Sequence, residues 1–148
     1  MQNKPLTILM ADDDPEDRML THLALEKCKF KSDFRHVCDG EELLDYLYQR
    51  GKYKDPGTAP KPLFILLDLH MPRKNGIEVL EIIKKDAEVR HIPVVILTSS
   101  DRYEDIINTY NLGVNSYIKK QEKFEAFVEE LAIIGKYWFD IVRLPKRD

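Results

Sequence analysis

Cysteine is scarce: Cys28 and Cys38 are the only two among 148 residues, which leaves no disulfide framework and points to a reducing, cytoplasmic setting. Glycine is sparse as well. The six stand at positions 40, 51, 57, 76, 113 and 135, and none follows the first apolar run, where the phosphate loop of a nucleotide carrier would need them. No stretch approaches the ~20 apolar residues of a membrane helix. Met1–Lys4 leads into a short apolar run and then Asp12-Asp13-Asp14, which is not the pattern of a secretory leader. Basic charge has no excess: 23 Lys and Arg against 26 Asp and Glu give a net −3, which argues against a general nucleic-acid binder. Internal repeats are absent.

What remains is an ordinary globular balance, 43% hydrophobic and 33% charged, and a length that predicts one domain over residues 1–148. A chain of this size buries roughly 68–70% of its unfolded surface, enough for a core without staples. Apolar runs at Leu6–Ala11, Phe34–Cys38, Leu63–Leu67, Val94–Leu97 and Val114–Ile118 read as five strands. The third and fourth are uninterrupted, as central strands of a parallel sheet are. Helical stripes separate them: Met19, Leu20, Leu23, Ala24 and Cys28; Leu43, Leu44 and Leu47; Ile77, Leu80 and Ile83 beside Val79 and Ile82; Ile106, Ile107 and Tyr110. A long final helix over about 123–142 carries Phe124, Phe127, Val128, Leu131, Ile134, Trp138 and Ile141 at helical spacing. Strands alternating with helices predict an α/β fold with a central five-stranded parallel sheet and helices on both faces. Gly51–Pro62, with two glycines and three prolines, reads as an inserted surface loop before the third strand.

Ligands of an open parallel sheet sit beyond the carboxyl ends of its strands. There the sequence places Asp12-Asp13-Asp14, Asp68, Thr98-Ser99-Ser100 and Lys119-Lys120. Helix capping and the helix dipole account for Asp14, Glu16 and Asp17 around Pro15. They leave Asp12 and Asp13 unexplained, and further negative charge there calls for a cation. Asp68 directly follows Phe64-Ile65-Leu66-Leu67, where an unpaired carboxylate is costly. Carboxylates open to water suit Mg²⁺. An aspartate can attack a phosphoryl group, and the transferred group then needs neutralisation by a metal, a lysine and a hydroxyl. Strand alternation alone leaves open which of the two lysines points inward.

The order Asp12-Asp13, Asp68 with Met71-Pro72 and Asn75-Gly76, Thr98-Ser99, then Tyr117 with a lysine three residues on, resembles response-regulator receiver domains across nearly the whole chain. The resemblance implies a doubly wound, flavodoxin-like (βα)₅ three-layer sandwich. It implies phosphorylation of Asp68 by a histidine kinase or a histidine phosphotransfer protein in a two-component phosphorelay. Asp13 and Asp68 would hold Mg²⁺ with the backbone carbonyl of His70, and Asp12 would act mostly through water. Thr98 resembles the switch hydroxyl and Tyr117 the aromatic switch. The tyrosine–lysine spacing selects Lys120, rather than Lys119, as the phosphate-neutralising residue. The family usually has proline after that lysine, and here it is Gln121. His70 and Ser100 occupy positions associated with acyl-phosphate lifetime. The long Gly51–Pro62 loop, Pro72-Arg73-Lys74 and the aromatic end Tyr137-Trp138-Phe139 look most like stand-alone receivers that partner bacterial phytochrome-type kinases. Such a protein is no enzyme beyond promoting its own Mg²⁺-dependent phosphorylation and dephosphorylation. It is cytoplasmic, binds neither DNA nor membrane directly, and signals through protein contacts.

Ile133, Tyr137 and Phe139 lie partly off the core stripe, which predicts either a homodimer face or packing against the 51–62 loop. Three rival readings are weaker. An aspartyl-nucleophile phosphatase of the DxD type wants a hydroxyl residue where Glu16 stands, and no cap domain fits. A phosphate-independent interaction module would have no need of the acid, threonine and lysine set. A calcium loop fails because Asp17 stands where its glycine belongs.

Overall fold

In the computed structural model, which describes residues 6–27 and 32–143, strands and helices alternate. They are β1 (Leu6–Ala11), α1 (Pro15–Glu26), β2 (Ser32–Val37), α2 (Gly40–Leu47), β3 (Phe64–Leu67), α3 (Gly76–Lys85), β4 (Val94–Thr98), α4 (Tyr103–Asn111), β5 (Ser116–Lys119) and α5 (Phe124–Lys136). All strand pairs are parallel, in the order β2-β1-β3-β4-β5. The chain steps from β1 outward to β2 and then returns to the other side of β1, so the winding reverses between β1 and β3. That is the doubly wound α/β arrangement, and its crevice opens at the carboxyl ends of these two strands.

The pleat divides the sheet between two cores. Leu9, Ala11, Ile65, Leu67, Val94 and Ile96 face α2 and α3, where Leu43, Leu44, Val79, Leu80 and Ile83 are buried. Ile8, Met10, Phe64, Leu66, Val95 and Leu97 face α1 and α5, meeting Ala24, Leu25, Phe127, Leu131 and Trp138. Each aliphatic side chain fully buried in this way contributes about 1.5–3 kcal/mol.

Two helices turn otherwise than apolar spacing predicts. On α1 the buried residues are Thr21, Ala24 and Leu25, while Met19 and Leu23 are 55% and 42% exposed. Thr21 can go inward because its hydroxyl donates to the Asp17 carbonyl at 2.9 Å. On α4, Thr109 is the buried residue, its hydroxyl satisfied by the carbonyls of Asp105 and Ile106; Ile107 and Tyr110 are exposed and Ile106 is half-buried. Helical back-bonding lets a threonine replace an aliphatic residue at an interface. The expected stripe position Cys28 lies outside the described residues.

β5 starts two residues later than the apolar run. Asn115 exchanges both its backbone N–H and its side-chain carbonyl with Val94, so regular pairing begins at Ser116 and runs to Lys119, opposite Thr98. β2 begins earlier, at Ser32, because an edge strand tolerates polar residues. The final helix follows α-geometry to Lys136 and then makes a π-helical turn over Tyr137–Ile141. The wider turn carries Ile141 off the stripe to 59% exposure. Trp138 stays inside, stacked on Phe64 at 5.8 Å, and Phe139 lies 6.1 Å from the same ring.

The 51–62 loop forms two short 3₁₀ turns, Gly51–Tyr53 and Pro56–Thr58, docked on α2. The Tyr53 hydroxyl donates to Glu42 Oε2 at 2.6 Å, and the Tyr46 hydroxyl donates to the Pro60 carbonyl at 2.7 Å. Lys52 Nζ lies 2.9 Å from Glu42 Oε2. The loop therefore belongs to the core opposite α5, and it does not cover Ile133 and Tyr137, which stand 68% and 50% exposed.

Candidate functional site

Register assembles the acids. Ala11 pairs with Leu67, so Asp12 and Asp68 are the next residues on adjacent strands. The Asp68 N–H donates to the Ala11 carbonyl at 3.0 Å, and the Asp12 N–H donates to the Val37 carbonyl at 3.1 Å. One carboxylate oxygen from each of Asp12, Asp13 and Asp68 falls within 4.8 Å of the others. Asp12 and Asp68 are buried, whereas Asp13 is exposed to water. Two glycines let the surrounding backbone close in. A Cβ on Gly76 would stand 2.6 Å from the Asp68 carbonyl, and one on Gly40 would stand 2.1 Å from the Lys74 carbonyl. The capping box of Asn75 and Glu78 then starts α3 directly behind Asp68.

Lys120 enters from the end of β5, its N–H on the Thr98 carbonyl at 2.8 Å. Its Nζ donates to Asp12 Oδ2 at 2.7 Å and to Asp17 Oδ2 at 2.6 Å, and stands 4.0 Å from Asp68 Oδ2. Lys119 points elsewhere, 3.4 Å from Asp101. Lys120 thus turns inward, the lysine that the tyrosine–lysine spacing selects and that strand alternation alone left open. Burial alone would lower the Lys120 ammonium, but the hydrogen bonds to Asp12 and Asp17 outweigh it and hold its pKa above the usual value. Asp12 is more completely desolvated, its side chain 0% exposed against 14% for Lys120. Burial therefore pushes its carboxyl above the usual range despite the Lys120 hydrogen bond and the Asp14 N–H at 2.9 Å.

Asp14 caps α1, accepting from the Glu16 N–H at 2.9 Å, as its position before Pro15 predicts. Asp17 is different. Helix-start chemistry was a sufficient reason for it, yet its side chain is spent on Lys120. Its place in the first turn of α1, just past the run Asp12-Asp13-Asp14, is the available signal. Arg18 also joins the site, donating from Nη1 to the Asp12 carbonyl at 2.9 Å.

Thr98 is fully buried, and its Oγ1 has no hydrogen-bond partner among the described residues. The Tyr117 hydroxyl donates to the Ser100 carbonyl at 2.8 Å, tying β5 to the β4–α4 loop. Burial first, and then the charges of Asp105, Asp101 and Asp68, push that phenol above its usual pKa. The Ser100 hydroxyl donates to Asp105 Oδ2 at 2.7 Å. His70 is exposed in the β3–α3 loop. Gln121, which stands where receiver domains usually have proline, donates to Glu130 Oε2 at 2.9 Å, and all peptide bonds among the described residues are trans.

Hard oxygen donors at this separation fit a small divalent cation that keeps some of its waters. Beside it stand a buried carboxylate able to act as nucleophile, an ammonium and an unpartnered hydroxyl. That set suits phosphoryl transfer, which depends on positioning and charge neutralisation.

Comparison with known proteins agrees with the fold. Residues 8–132 match the model of the response regulator receiver domain. Response regulator Rcp1 of Synechocystis is 34% identical over 143 residues, spanning 97% of this chain and 95% of Rcp1. Among solved structures, the response regulator RPA3017 in red light signaling of R. palustris superposes with a TM-score of 0.90 at 34% identity, covering 96% of this chain and 99% of that one. The phosphorylated cyanobacterial phytochrome response regulator RcpA gives 0.89 at 35%, covering 97% and 100%. A Mn²⁺-bound form of Rcp1 also superposes, at 0.86, 34% identity and coverage of 96% and 100%.

Proposed function

The chain belongs to the response-regulator receiver family, and from that premise we propose that it acts as one receiver unit carrying a phosphoryl group on Asp68. The observation that carries the reading is the meeting of Asp12, Asp13 and Asp68 within 4.8 Å, with the Lys120 ammonium 4.0 Å from the Asp68 carboxylate. Asp12, Asp13 and Asp68, with the backbone carbonyl of His70, would hold Mg²⁺, which when bound supplies neutralisation of the phosphoryl charge. An Asp68 carboxylate oxygen attacks phosphorus. The bond from phosphorus to the donor breaks, and its electron pair leaves with the donor, a phosphohistidine imidazole of the partner. Lys120 offers its remaining N–H to a phosphoryl oxygen, and Thr98, whose hydroxyl lacks a partner, donates to another. Hydrolysis later breaks the bond between the Asp68 oxygen and phosphorus, releasing inorganic phosphate and returning the carboxylate.

Occupation of Thr98 changes what the β4–α4 loop packs against, and Tyr117, bonded to Ser100 in that loop, carries the change to α4, β5 and α5. The donor is a histidine kinase or histidine phosphotransfer protein of the phytochrome type, as supported by the relatives named for phytochrome and red light signalling. The exposed Met19 and Leu23 of α1 give it apolar footing beside the acids. The output is a protein contact, with a second copy of the chain engaging Ile133, Tyr137 and Ile141, and the protein works in the cytoplasm. Among the described residues no helix is long and apolar enough to cross a membrane.

The test is incubation with Mg²⁺ and acetyl phosphate followed by intact mass. One added phosphoryl group is expected, absent in Asp68→Asn and after chelation. Continued labelling of Asp68→Asn would place the acceptor elsewhere.

A further inference from the structure

We infer that Asp17 is a positioning residue that holds the Lys120 ammonium off the phosphoacceptor and so keeps Asp68 free for metal and phosphoryl donor. The inference rests on the assignment of Asp68 and Lys120 above and adds a residue to which neither helix capping nor the motif set gives this task.

An ammonium has three N–H donors. Two are committed here, to Asp12 Oδ2 at 2.7 Å and to Asp17 Oδ2 at 2.6 Å, while Asp68 Oδ2 at 4.0 Å lies beyond hydrogen-bond reach. Both bonds are charge-assisted, the strong kind. Asp68 is the next carboxylate in line for the same ammonium. Remove the charge at position 17, and the lysine gains most by moving onto it. A lysine on Asp68 would occupy the oxygens that must ligate the cation and attack phosphorus.

The fold keeps Asp17 in place independently of Lys120. Asp14 caps α1 and Pro15 opens it. The Asp17 carbonyl receives the Thr21 hydroxyl at 2.9 Å, and Thr21 is itself buried. The carboxylate thus projects from a fixed turn, and the ammonium is the mobile partner at the end of its stem. Once Asp68 carries a phosphoryl group, its added acceptor oxygens reach toward the third N–H while the other two bonds remain made. Asp17 in this way sets the resting distance that the phosphoryl group fills.

The experiment compares wild type, Asp17→Asn and Asp17→Glu, each with and without Lys120→Met. Calorimetric titration gives Mg²⁺ and Mn²⁺ affinity, intact mass gives the rate of labelling by acetyl phosphate, and thermal unfolding checks the fold. Asp17→Asn should weaken metal binding and slow labelling by about tenfold each, within the coupling that contacting side chains show. Asp17→Glu should restore most of both. In the Lys120→Met background Asp17→Asn should change metal affinity by less than about twofold. Unaltered metal affinity and labelling in Asp17→Asn would overturn the inference. So would an equal loss with and without Lys120, which would mark a general charge effect. Wild-type protein that binds metal as expected across the series but takes no phosphoryl group would instead remove the acceptor assignment and leave the Asp17–Lys120 relation standing.

Discussion

A buried hydroxyl with no partner costs about 1–3 kcal/mol, and the resting molecule carries that burden at Thr98. Thr98→Val keeps the shape and removes the unpaired group. Urea unfolding of the unphosphorylated protein should therefore show it as stable as wild type or more so, by about 1 kcal/mol, while its phosphorylated form loses the response at Tyr117. A clear loss of resting stability would mean that the hydroxyl already has work to do. Asp68 and Asp12 were legible because a charge at the end of an apolar strand has no local excuse. Asp17 was not, since a carboxylate in a first helical turn has one. The tyrosine–lysine spacing separates the two lysines, whereas strand alternation does so only once the start of β5 is known, which depends on the side chain of Asn115.

Elements were legible where apolar spacing alone sets the packing, as in β3, β4 and α3, and not where a threonine turns inward, as in α1 and α4. The 51–62 segment reads as an insertion, but its docking through Tyr46, Tyr53 and Lys52 needs the partner helix α2 to be in view. Glu42 of α2 holds this attachment. Burial works to raise its carboxyl, yet the Tyr53 hydroxyl, the Lys52 ammonium and the Cys38 N–H together bring it down to about 2 from an ordinary 4.5. Because the folded form binds its proton more weakly than the unfolded chain does, this contribution is complete above 4.5. It drains away as pH falls toward 2. Glu42→Gln should be less stable than wild type at pH 7, and the difference in urea midpoint should shrink steadily across that acid window. A constant difference would detach the loop from Glu42.

At the scale of the whole molecule, the two cores divide the outward-facing residues as well. The exposed Ile133, Tyr137 and Ile141 follow the α5 side. Sedimentation velocity with and without beryllofluoride should show association in the activated form, lost in Ile133→Glu; a monomer in both states would remove self-association as the output. The parallel sheet also has two ends with different duties. Every group of the acidic rim lies past the carboxyl ends of the strands, whereas the 51–62 segment feeds into the amino end of β3. Lys54–Thr58 is exposed throughout. A fluorophore or an affinity handle grafted between Asp55 and Gly57 would ride on an exposed turn tied to α2 and β2 rather than to the acids, reporting on the protein in a living cell without standing in the doorway of its chemistry.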